Sequence, residues 1–221
     1  MAGPFDDPDV QRLMHDAGVV HKPGLSAELL QEIGPLLAED GFDIDNLETT
    51  DLDTLNLALG RAIERRNFER FVPVGQARAM ALTALRLTAE AISENESALA
   101  EALIRSIQPE PDDGMPSIAQ TIGVSLGVLD TWHTDPQLRQ AVQRTRMPVW
   151  EKHARTAGTD ILALARKGRA FDSISGLHAR HNGLTILHGS ILAVTGTLQT
   201  WATHEHTTVR ELSLRVLAQD T

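Results

Sequence analysis

Apolar residues recur along this chain at steps of three and four. Leu29, Leu30, Ile33, Leu36 and Leu37 trace one face of a helix, and Leu52, Leu55, Leu59 and Ile63 trace another. Leu184, Leu187, Ile191, Val194, Leu198 and Trp201 form a third such face near the carboxyl end. A 3.6-residue turn needs this spacing to gather apolar side chains on one side. β-branched residues are scattered and no run alternates with period two, so the pattern predicts an all-α, multi-helix protein.

Caps and breakers divide the chain into roughly nine or ten helices. Asp7-Pro8 opens a short helix at 8–16, stopped by Gly18. Ser26 caps a second helix running to Asp40 before Gly41, and Gly34-Pro35 is expected to kink or split it. After an acidic linker at 43–53 comes a helix reaching about Asn67, and Pro73-Val74-Gly75 closes that unit. A helical stretch covers 76–107, where Ser93 and Glu96 read as a capping box that restarts it. Ser117 with Gln120 opens a helix to about His133. Asp135-Pro136 opens the next, which Met147-Pro148 breaks before a segment ending at Gly168. One long helix is expected over 173–203, and Thr208 with Glu211 caps a terminal one. The division is an arm at 1–24, a small three-helix-like domain at 25–76 and a larger helical domain at 77–221.

Composition narrows the setting. With 221 residues, 42% of them hydrophobic, the chain can fill a core, and the absence of Cys removes disulfides, thiolate metal sites and thiol nucleophiles. The amino terminus lacks a basic-then-apolar leader, and no apolar run reaches membrane-spanning length. A cytoplasmic protein with no membrane partner is expected.

Net charge is −10, but it is unevenly placed. Residues 1–56 hold thirteen acidic side chains and two basic ones, whereas Gly60 to Phe71 carries four arginines against two glutamates. Arg61, Arg65, Arg66 and Arg70 therefore form the first candidate for phosphate or nucleic-acid contact. The plainer reading is a solvated face paired with Glu64, Glu69 and the acidic linker. Arg139, Arg144, Arg146, Lys152, Arg155, Arg166, Lys167 and Arg169 make a second basic stretch, opposed by Glu151 and Asp160. It suits an anionic partner, or pairing with the acidic amino-terminal region.

Other constellations are weaker. Ser117 to Trp132 matches helix-turn-helix spacing, with Ala119, Gly123, Leu129 and Trp132 at the required positions, but no Lys or Arg occurs from Ser106 to Leu138. His178, His181 and His188 fall on one stripe of the expected long helix, suited to a polar pocket, a dimer seam or, least of all, a metal. Trp132 with His133, Trp150 and Trp201 can line an interhelical pocket. No catalytic spacing emerges, so neither an enzyme nor a cofactor is expected.

Leu29-Leu30 followed by Leu36 to Phe42 resembles the first helix of tetracycline-repressor (TetR) family regulators. Ala58 to Gly60, Glu64 to Phe71 and Pro73 resemble the family's turn, recognition helix and closing aromatic-proline pattern. Thr197 to Trp201, then Glu211-Leu212 and Val216-Leu217, are similar to its dimerisation helix and amphipathic tail. The resemblance implies a helix-turn-helix-like domain at 25–76 and a ligand-binding, dimerising domain beyond it. It also implies a homodimeric transcriptional regulator, with Arg61, Arg65, Arg66 and Arg70 on DNA. Trp132, His133, Trp150, His181 and His188 would meet a small apolar or amphipathic ligand. The chain departs from the pattern by about six extra, acidic residues between Gly41 and Phe71. That departure supports a second reading, a sensory or protein-interaction protein on the same scaffold that does not bind DNA.

Overall fold

A computed structural model of the chain describes residues 25–42, 52–110 and 115–217. Among them are ten helices, which we number α1 Leu25–Glu39, α2 Leu52–Phe71, α3 Gly75–Ser93, α4 Ser97–Arg105, α5 Ile118–Thr134, α6 Arg139–Val142, α7 Lys152–Ala165, α8 Ile174–Arg180, α9 Gly183–Glu205 and α10 Val209–Val216. The described residues contain no strand, only an isolated bridge between Gln108 and Ser117, so the fold is all-α. The short helix expected at 8–16 and the linker over 43–51 lie outside the described residues. Among the described residues, no helix is long and apolar enough to cross a membrane.

Backbone contacts divide the chain into two compact units, Met1–Glu69 and Arg70–Thr221. In the first unit, Ile33 and Leu37 of α1 pack on Ala58 and Ala62 of α2, with Leu36, Phe42, Leu59 and Ile63 around them. The small alanines let the two helices approach. Gly41 ends α1 at φ +86°, and the Gly41 and Phe42 amides donate to Ala38 and Leu37 carbonyls at 3.0 Å. This is a Schellman stop, with Phe42 folded back toward Leu37.

Pro35 does not split α1; it sits inside a continuous helix on its exposed side. The Gln31 carbonyl that loses its partner lies on that same solvent-facing side, where water can replace it. Likewise, the turn expected at Ala58 to Gly60 is absent, because α2 is unbroken from Leu52 to Phe71. A Cβ at Gly60 would meet nothing within 4 Å, so this glycine serves no close approach.

The second unit is organised around α9. It buries fourteen residues, from Ile186 to Ala202, and packs against α3, α5, α6, α7, α8 and α10. A helix apolar on all sides belongs in a core. The helix that the resemblance assigns to dimerisation is thus interior here. Its closest neighbour is α7, where a Cβ at Gly189 would come within 2.8 Å of both Ala157 Cβ and the Gly158 nitrogen.

Local caps explain most boundaries. Ser117 Oγ accepts from the Gln120 amide at 3.1 Å, and Gln120 Oε1 accepts from the Ser117 amide at 3.0 Å. Thr208 and Glu211 make the equivalent reciprocal pair at 3.1 Å. The expected Ser93–Glu96 box does not form. Instead α3 ends in a turn with Asn95 at φ 63°, and Glu96 precedes α4 without a side-chain cap. The helix expected from Pro136 is reduced to α6, and the long helix expected over 173–203 is two, α8 and α9. His181 is extended, and Asn182 Oδ1 accepts from the Thr185 amide at 2.8 Å to start α9 afresh.

Candidate functional site

The first unit offers a surface made by α1 and α2. Its shallow groove, about 430 Å³, is lined by Leu36, Asp40, Arg61, Ala62, Arg65 and Phe68. A smaller hollow of about 210 Å³ adjoins it, sharing Asp40 and Arg61 and adding Phe42, Thr54, Leu57 and Ala58. Helix geometry explains the alignment: at about 100° per residue, positions 57, 61, 65 and 68 fall within one arc of α2. Leu57 is 63% and Phe68 59% exposed, so that arc presents two large apolar side chains with two guanidinium groups between them.

The four arginines do not act as one patch. Arg65 donates to Glu39 at 2.8 Å and approaches Glu69 at 3.4 Å, and the Glu39 carboxylate beside it raises its pKa. Arg61 is exposed at the groove. Arg66 and Arg70 are turned by about 100° or more from that arc. Arg66 is half-buried, and the Arg70 guanidinium lies 5.9 Å from the Phe71 ring centroid. The plainer sequence reading, a basic face paired with glutamates, describes Arg65 well.

The rival helix-turn-helix is one unbroken helix, α5. Gly123, where the helix-turn-helix spacing expects a turn, lies mid-helix against the chain at Phe71, where a Cβ would stand 1.8 Å from the Phe71 carbonyl oxygen. On the same helix, Asp130 accepts from the Ala170 and Phe171 amides, both at 2.9 Å. Burial raises its pKa, partly offset by those two hydrogen bonds.

The residues expected to line a ligand pocket are dispersed through the second unit. Trp132 is buried edge-on against Trp201, ring centroids 5.6 Å apart at 77°. His133 Nε2 is 3.2 Å from Thr197 Oγ1, whose own hydrogen goes to the Ala193 carbonyl at 2.8 Å. That assigns the His133 proton to Nε2, as donor to Thr197. Burial, with the Arg166 charge, pushes the His133 pKa down to about 4. Nine residues earlier on α9, about 13 Å away along the axis, His188 is half-buried. Burial lowers its pKa, opposed by Glu151 and Glu101. His181 Nε2 and Arg180 both reach Asp160 Oδ2 at 3.0 Å. Trp150 is half-buried against the core. His178 lies on α8, its ring 6.0 Å from Phe71, so the break at His181 and Asn182 removes the common stripe. Among the described residues, no three His, Asp or Glu side chains converge as for a metal ion.

Sequence reasoning missed Leu57 and Phe68. The available signal was their phase, since both fall off the face marked by Leu55, Leu59 and Ile63. The chain matches no protein-family model, and neither a curated protein nor a solved structure matches it.

Proposed function

We propose that the protein works by binding, and that the α1–α2 surface receives an acidic amphipathic helix of a partner protein. The observation that carries this reading is the exposed pair Leu57 and Phe68 on one arc of α2, with Arg61 and Arg65 between them. The pair is about 16 Å apart along the helix, three turns, which suits a partner helix laying apolar anchors along the groove. Between the anchors, the Arg61 guanidinium favours a partner carboxylate, while Arg65 is held by Glu39 and Glu69. Self-pairing of α2 is disfavoured, because an antiparallel copy would set Arg61 and Arg65 against their own counterparts.

A TetR-like regulator is the second reading, supported by the exposed Arg61 and Arg65 on a surface helix. It has less support. The unbroken α2 lacks the turn expected at Ala58 to Gly60, Arg65 is engaged by two glutamates, and the suggested ligand residues are dispersed. Fluorescence anisotropy of the full chain with a labelled helical peptide, leucines on one face and glutamates on the other, tests the first reading. Mixed-sequence duplex DNA as competitor tests the second. Saturable peptide binding that DNA does not displace supports the interaction protein. Tight, salt-weakened DNA binding without peptide binding supports the regulator.

A further inference from the structure

The second unit carries a basic surface that the α1–α2 groove leaves unused. From Arg144 to Arg155 the chain holds four exposed cations, Arg144, Arg146, Lys152 and Arg155, against one carboxylate, Glu151. None of the four enters an ion pair among the described residues. Lys152 and Arg155 occupy the first turn of α7, where positive charge opposes the helix dipole. Helix stability therefore does not account for them.

At the centre of this stretch stands Val149, 90% exposed. The loop beneath it is pinned. Thr145 is buried and donates to the Val142 carbonyl at 2.6 Å. Met147 lies against Gly158 of α7, and the Arg146 carbonyl and Pro148 ring lie against Gly196 of α9, positions where an added Cβ would collide. Trp150 is half-buried beside the tip. An apolar side chain is thus held out on a clamped loop with exposed cations on either side of it in the chain, so docking it costs little ordering.

We propose that the loop from Arg144 to Glu151, with the first turn of α7, docks on an anionic lipid surface. Val149 enters the headgroup boundary while Arg144, Arg146, Lys152 and Arg155 meet lipid phosphates and carboxylates. The exposed Val149 favours a membrane over nucleic acid, whose phosphate backbone has no use for an apolar tip.

Vesicle co-sedimentation of the full chain tests this, using phosphatidylcholine alone and phosphatidylcholine mixed with phosphatidylserine. Expected is binding to the mixed vesicles only, weakened by salt. Arg144→Gln with Arg146→Gln should weaken binding roughly thirtyfold. Val149→Asp should also release the protein, while Lys167→Gln with Arg169→Gln, in the turn after α7, should retain it. Each variant is checked for an unchanged helical spectrum and melting temperature; Val149 and the arginines are solvent-exposed, so folding is expected to survive. No binding to the mixed vesicles, or binding that Val149→Asp leaves intact, would overturn the proposal. Equal, Val149-independent retention on duplex DNA would also overturn it, pointing to a general polyanion surface.

Discussion

His133 shows how one buried side chain couples the fold to pH. Its folded pKa of about 4 lies below the ordinary 6.5, so between those values the unfolded chain binds the extra proton. The associated stability is intact above about pH 6.5 and is lost as pH falls toward about 4. Its size is about 2 kcal/mol after allowance for solvent screening. Denaturant titrations above and within that window should show the loss, and His133→Leu should flatten the difference. Asp130 makes a second residue-scale prediction. Asp130→Ala strands the Ala170 and Phe171 amides and should cost about 2–3 kcal/mol in thermal unfolding. A loss below about 0.5 kcal/mol would show that water satisfies both amides. Neither role was legible in the sequence. Asp130 reads there as one more polar helix position, because its partners are forty residues away in the chain.

Elements were more legible where their signals are local. Gly41 after Asp40, Ser117 with Gln120 and Thr208 with Glu211 act within one turn, and all three bound helices as read. Ser93 with Glu96 has the same spelling and makes no cap, since Asn95 turns the chain into a left-handed conformation instead. The break before α9 was hidden because Asn182 serves both the polar periodicity and the cap. Gly60 decides between the unbroken α2 and the turn implied by the resemblance. In an exposed helix interior, Gly60→Ala should raise stability by about 0.5–1 kcal/mol; at a turn that needs glycine it would lower it. By contrast, Gly123→Ala places a Cβ on the Phe71 carbonyl oxygen and should cost about 2 kcal/mol. Paired melting curves of these two variants report on α2 and α5 separately.

At the scale of the molecule, the all-α class followed directly from apolar periodicity, but the status of each helix depended on packing. The stripe from Leu184 to Trp201 reads as one apolar face, yet α9 is buried on nearly every side, because Gly189, Ser190, Ala193 and Gly196 also face neighbours. Conversely, Leu57 and Phe68 look like core in composition and are exposed, since among the described residues the contacts with α1 cover the other side of α2. Among the described residues the charge pattern then acquires a location: a mixed apolar and basic arc on α2 in the first unit, and a cationic loop before α7 in the second. The arc is the proposed binding surface. Its most direct test is a charge swap, measuring the affinity of the wild-type chain, Arg61→Glu and Phe68→Asp for the leucine–glutamate helical peptide and for its leucine–lysine counterpart. Wild type should prefer the acidic peptide, Arg61→Glu should shift preference toward the basic one, and Phe68→Asp should weaken both. Equal affinity of all three proteins for both peptides, or no affinity of wild type for the acidic peptide, would contradict a partner-binding role for the α1–α2 surface.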